Sequence, residues 1–167
     1  GLSPLMIDML ARKIISAVGM NSAAAIHDVE TALFGTTSED VEANLAGGKF
    51  GMSKETGDFI NGTLAAGMEH GTAGYGEVVG KALQKAPNKR LSILATCYRL
   101  NIPVTVHAAI GTDIINQQPT MDGASTGELS FRDFKVLCHV VKDLHGGGVV
   151  MNIGSAVLLP EVFLKAL

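Results

Sequence analysis

The sequence predicts an α/β fold, a three-layer Rossmann-like parallel sheet with helices on both faces. Three observations predict it. Apolar, partly β-branched runs recur at residues 14–20, 102–110 and 149–153. Stretches with the apolar spacing of helices separate them. Runs one and three pass directly into small polar or glycine turns that open further helices. Strands alternating with helices favour parallel pairing, with the helices packed on the sheet faces.

Each element has its own signal. Ser3 and Pro4 open the first helix, because Ser is a good N-cap and Pro needs no N–H at the first helical position. The run IISAVGM reads as a buried strand, and Asn21 and Ser22, both capable caps, lead into the helix AAAIHDVETALF. Thr37 precedes a helix over SEDVEANLAGG, with acids in its first turn and glycines after its last. Ser53 caps KETGDFINGTLAAGMEHG, a helical stretch interrupted by glycines. EVVGKALQKA, from Glu77, is a helix that ends before Pro87, and LSILATCYRLN is another. Residues 102–110 form the second strand, with Pro103 at its start, where proline is tolerated. A long loop, GTDIINQQPTMDGASTGE, follows. Ser130 then opens a helix that ends in three glycines, residues 149–153 form the third strand, and Gly154, Ser155 and Ala156 turn into a last helix.

Composition excludes several classes. Of 167 residues, 47% are hydrophobic and 17% charged, which suits a folded domain with a real core. A net charge of −3 lacks the basic footprint of a nucleic-acid binder. No apolar run approaches the ~18 residues of a membrane span. Cys97 and Cys138 sit in apolar, helix-like runs and read as small buried hydrophobes, which points to a reducing, cytoplasmic setting. No metal-ligand spacing is present, so no metal site is expected. Three strands are few for an open sheet, and the chain starts at Gly1 without Met and ends inside an apparent helix. The expectation is therefore one domain, residues 1–167, of a longer protein.

In open parallel sheets, ligands bind beyond the carboxyl ends of the strands. Residues 20–28, 107–128 and 152–156 meet that description. MNSAAAIHD combines a tight turn, small side chains and a helix N-terminus, which together favour a phosphate or dinucleotide. Close packing of helix on sheet explains the same alanines, and the GxGxxG fingerprint is absent. The loop after His107 carries Asp113, Asp122 and Glu128 without a Lys or Arg among them. Such a set suits a cationic amine, and solvated loop acids are the plain alternative. His107, near a strand end, is a candidate general acid or base, or else a hydrogen-bonded structural histidine. His27 suits a ligand contact or a surface role at a helix start. His70, His139 and His145 read as surface residues, and Arg132 with Asp133 as a local helix pair. Gly154 permits a tight turn, with or without a phosphate against it.

These segments resemble the deoxyhypusine synthase family and its bacterial deoxyhypusine-synthase-like relatives. NSAAAIHDVETAL is similar to the family's Thr-Ala-Gly-Gly turn followed by Val-Glu-Glu-Asp. SILATCYRLNIPVTVHAAIGTD is similar to its helix, its Asn-Ile-Pro-Val strand and the Thr-Asp that follows, and VVMNIGSAV to its glycine turn at the dinucleotide. Alanines stand in place of the turn glycines, and the family's catalytic lysine falls beyond the last matched segment. The resemblance implies NAD against Asn21, Ser22, Ala23, Ala24, Asp28, Gly154 and Ser155. Joined to the reading of the loop residues, it gives the expectation of a polyamine or small amine held by Asp113, Asp122 and Glu128, with His107 and Asp113 as catalytic candidates. The family oxidises spermidine with NAD, transfers an aminobutyl group to a lysine, and works as a homotetramer with sites between subunits. Two other readings fit the same residues: a nucleotide-binding module without catalysis, and a metal-assisted hydrolase using the acidic loop.

Overall fold

A computed structural model describes residues 2–37, 45, 47, 53–69 and 71–167. The elements run α1 (Ser3–Ala11), β1 (Val18–Asn21), α2 (Ser22–Phe34), α3 (Lys54–Glu69), α4 (Tyr75–Ala82), α5 (Ile93–Leu100), β2 (Val104–His107), α6 (Gly123–Val141) and α7 (Leu158–Ala166). Short 3-10 turns cover Leu83–Lys85, Lys89–Leu91, Ile114–Gln117 and Lys142–Gly146. The helix expected over SEDVEANLAGG lies outside the described residues apart from Leu45 and Gly47, as does His70.

The expected three-layer Rossmann-like sheet is not what the chain builds. The protein is mostly helical, and its one sheet has two parallel strands, in register from Val18↔Val104 to Asn21↔His107. The first run enters the ladder late. Lys13 bends the chain through a left-handed φ of 58°, Ile14 is exposed, and pairing begins where the Val18 N–H meets the Pro103 carbonyl at 3.0 Å. The second run pairs only over β2. The third, residues 149–153, forms no strand: Val149 is 83% and Met151 71% exposed.

The reason lies at the outer edge of β2. In a parallel ladder alternate residues turn their backbone groups to opposite sides. Val106 turns its groups away from β1, and helix side chains take them. Its N–H donates to Asp133 Oδ2 at 2.6 Å, and its carbonyl accepts from Ser130 Oγ at 3.1 Å. Ser130 Oγ in turn accepts the Ala108 N–H at 3.0 Å. The Gly76 N–H donates to the same Asp133 oxygen at 2.8 Å. Thus α6 and the start of α4 occupy the place of a third strand. β-Branched content makes a segment able to pair, but pairing also needs a free edge.

Helices supply most of the core. α2 buries Ala25, Ile26, Val29 and Ala32 on one face, α3 contributes Ile60 and Leu64, and α5 contributes Leu94 and Cys97. Burial, then the nearby Asp28 carboxylate, pushes the Cys97 thiol up to about 12, so it stays protonated. Cys138 is half-buried. The long loop expected over residues 111–128 is also shorter than expected. Ile114–Gln117 form a 3-10 turn, and α6 begins at Gly123 because Asp122 caps it, accepting the Ser125 N–H at 2.9 Å. Ser130, expected as a cap, is inside the helix. Among the described residues no helix is long and apolar enough to cross a membrane.

Gly76 is where backbone meets backbone: a Cβ there would lie 2.2 Å from the Val104 carbonyl oxygen. Gly76→Ala should therefore lower stability by about 1–3 kcal/mol, because neither partner is a flexible side chain. Urea denaturation measures this, and an unchanged midpoint would contradict the close approach.

Candidate functional site

The strand-to-helix turn at the end of β1 contains no spare residue. Asn21 closes β1 and caps α2, its Oδ1 accepting the Ala24 N–H at 2.8 Å. Ser22, the first helical residue, is buried, and its hydroxyl donates to the Asp113 carboxylate. Asp113 follows β2 by a few residues and opens the 3-10 turn at Ile114. Its N–H is held by Asn116 Oδ1 at 3.2 Å, which also accepts from the Gly111 N–H at 2.8 Å. His107 pairs with Asn21 at the last register position. The carboxyl ends of the two strands therefore bring together Asn21, Ser22, His107 and Asp113.

His107 is 4% exposed, and its Nε2 lies 3.0 Å from Thr105 Oγ1, on the same face of β2. Burial lowers its pKa to about 4, so the imidazole is neutral at pH 7. In that state it has one N–H donor and one acceptor nitrogen, and its low pKa makes it a weak base.

The first turn of α2 divides the surroundings. Successive helical residues are rotated by about 100°, so Ser22 and Ala24 point to nearly opposite sides. On the Ala24 side is a cleft of about 420 Å³, lined by Ala24, His27, Asp28 and Thr31 of α2, with Ser3, Met20, Thr37 and Ile93. Ala23 and Ala24 are exposed. Asp28 borders this cleft, but its carboxylate is engaged by the start of α5: it accepts Ser92 Oγ at 2.5 Å, the Ile93 N–H at 2.7 Å and the Leu94 N–H at 3.0 Å. Burial raises its pKa against the effect of those bonds. His27 is exposed, 3.5 Å from a Glu30 carboxylate oxygen.

The other expected ligands lie apart. Asp122 is the exposed cap of α6, its pKa lowered by the Ser125 N–H. Glu128 pairs with Arg132 Nε at 2.8 Å, beside a second cleft of about 350 Å³ that Arg132 and Lys135 also line. The lack of basic neighbours within the loop sequence is thus made good from the next turn of the same helix. Gly154 has a φ of 76°, and Ser155 Oγ accepts the Leu159 N–H at 3.1 Å, so these residues serve the start of α7.

Sequence reasoning missed three residues. Asp133, read as half of a local helix pair with Arg132, is 1% exposed, and burial raises its carboxyl to about 7 against two backbone hydrogen bonds. Its position four residues after the buried Leu129 was the available signal. Asn61 is buried against the Ile115 carbonyl and Tyr75 at the start of α4, and nothing in their local sequence marks them. Among the described residues no group of three or more His, Cys, Asp or Glu is arranged to hold a metal ion. Comparison with known protein families, with curated proteins and with solved structures finds no match to this chain.

The neutral state of His107 sets a pH dependence. Its folded pKa lies below the unfolded value of 6.5, so its contribution to stability is present above pH 6.5 and is lost as pH falls toward 4. The full loss is on the order of 3 kcal/mol. Asp28 and Asp133, with raised pKa values, act in the opposite sense. The difference between wild type and His107→Gln therefore isolates the histidine. Denaturation of both proteins from pH 7 to 4 should show the wild type losing its advantage across that range, and parallel curves would contradict it.

Proposed function

We propose that the chain is deoxyhypusine-synthase-like: it binds NAD and a small amine or polyamine, oxidises the amine, and passes on an aminoalkyl group. One observation carries the reading. The two segments that resemble the family most, 91 residues apart, meet through the Ser22–Asp113 hydrogen bond at adjacent parallel strand ends. The cleft beside Ala24 fits a role in holding part of the dinucleotide, since the small side chain leaves the start of α2 approachable and helix N-termini favour phosphate. NAD, when bound, accepts hydride from the amine carbon.

The chain's own residues then have distinct tasks. Asp113 supplies the negative charge that orients an ammonium group, and Ser22 holds that carboxylate in place. His107, neutral at the adjacent strand end, is the candidate to receive a proton from the amine, acting as a weak base. Asp28 fixes the start of α5 and so shapes the cleft without contacting the cofactor through a free oxygen. A homotetramer with sites between subunits is the assembly this reading implies. A nucleotide-binding module without catalysis is the alternative when NAD binds and the amine does not.

Two variants test the reading by calorimetric titration. Ala24→Leu fills the cleft wall from an exposed position, so it should abolish NAD binding in a folded protein. NAD affinity equal to wild type would remove the cleft from the proposal. Asp113→Asn keeps an acceptor for Ser22 but removes the charge. It should weaken spermidine binding tenfold to a hundredfold, about 1.5–3 kcal/mol, and leave NAD affinity alone. Unchanged spermidine affinity would leave only the binding module standing.

A further inference from the structure

Thr105 and His107 share a buried hydrogen bond. Thr105 is 2% and His107 4% exposed, and Thr105 Oγ1 lies 3.0 Å from His107 Nε2. The two stand two positions apart on β2, so their side chains lie on one face of the strand. Gly19, opposite Thr105 in the register, brings no side chain to that face, and a Cβ there would already touch Oγ1 at 3.4 Å. Among the described residues Nε2 is the only hydrogen-bond partner of the Thr105 hydroxyl, and Nδ1 of His107 makes no hydrogen bond. Nδ1 is not one of the buried polar atoms left without a partner, which among the described residues are the Tyr75 hydroxyl and Asn61 Oδ1, so it reaches solvent.

One arrangement satisfies both side chains. A threonine hydroxyl has one proton and two lone pairs, and a neutral imidazole has one N–H and one acceptor nitrogen. If Nε2 carried the ring proton and donated it to Oγ1, the Thr105 O–H would be buried with no acceptor, which is costly. If Thr105 donates to Nε2 instead, both buried groups are paired and Nδ1–H meets water. We infer that Thr105 is a positioning residue for His107, holding the neutral ring with its proton on Nδ1 and its lone pair on Nε2. This rests on the amine-oxidising reading above and says where the proton goes. Nδ1 already holds one, so the amine N–H bond breaks with its electron pair left on the amine nitrogen, and the proton ends on Nε2. The Thr105 hydroxyl then turns and accepts from the new Nε2–H. A hydroxyl can donate before the transfer and accept after it, and a methyl group can do neither. A donor held on Nε2 opposes protonation in the same sense as burial, which keeps the base weak.

The tautomer is readable without any ligand. In protein carrying isotope-labelled histidine, two-bond proton–nitrogen spectra separate a ring protonated at Nδ1 from one protonated at Nε2. The His107 signals are those that His107→Gln lacks. At neutral pH the wild type should show the Nδ1–H form. Thr105→Val should lose this fixed form, and Thr105→Ser, which keeps the hydroxyl, should retain it. With NAD and spermidine, kcat for amine-dependent NAD reduction should fall about tenfold in Thr105→Val, with both affinities as in wild type, and recover in Thr105→Ser. An Nε2–H form in wild type or in Thr105→Ser, an unchanged Nδ1–H form in Thr105→Val, or an unchanged kcat there overturns the assignment. If Thr105→Val does not fold, the wild-type and Thr105→Ser spectra still decide it. If wild type reduces no NAD with spermidine, the amine reading falls, and the spectra alone judge Thr105.

Discussion

One buried carboxylate organises this structure. A single oxygen of Asp133 accepts the backbone N–H of Val106 and of Gly76, tying β2 to α4 and both to α6. Ser130, one helical turn earlier, takes the remaining backbone groups on the same edge. Much follows from this junction. The start of α4 must be glycine where it touches Val104, α6 must present Ser130 and Asp133 on one face, and the sheet stops at two strands. The opposing effects on Asp133, burial against two short hydrogen bonds, show how demanding the junction is. A charge in such a place is stabilising only when its partners are complete.

This junction also explains what the sequence reveals and what it conceals. Signals that act within a few residues are legible. Asn21 as a cap and Pro87 as a stop each work on the adjoining turn, and the helices fall close to where those residues indicate. Signals that depend on a distant partner are not. Residues 149–153 have the composition of a strand, but composition does not say whether an edge is open to receive them. Asp28 carries no local sign that Ser92, 64 residues away, donates to it. Glu128 resembles an unpaired acid because its Arg132 lies outside the loop window. Asn21, Ser22, His107 and Asp113 were legible as a group for a general reason, since strand ends in parallel pairs share one side.

The first turn of α2 gives the candidate site its two-sided character. Ser22 faces inward to Asp113, whereas Ala24 faces the open cleft. A ligand in the cleft and a ligand beside Asp113 would share that turn as a common wall. Displacement of the turn by one would be felt by the other through backbone and the Asn21 cap, which provides a short physical route for coupling between them.

Closing a sheet edge with side chains has a further consequence, for self-association. Where a strand is covered by another strand, no single substitution strips its backbone. Here the loss of Asp133 alone bares the Val106 N–H, and with Ser130 gone the carbonyl follows. An uncovered edge is a template for strands of other chains. The same protein carries its own complement in residues 149–153, which are exposed, uncharged, free of proline and rich in strand-forming side chains. Such segments add readily to open edges. The architecture therefore makes aggregation, rather than simple unfolding, the natural fate of molecules that lose this one carboxylate.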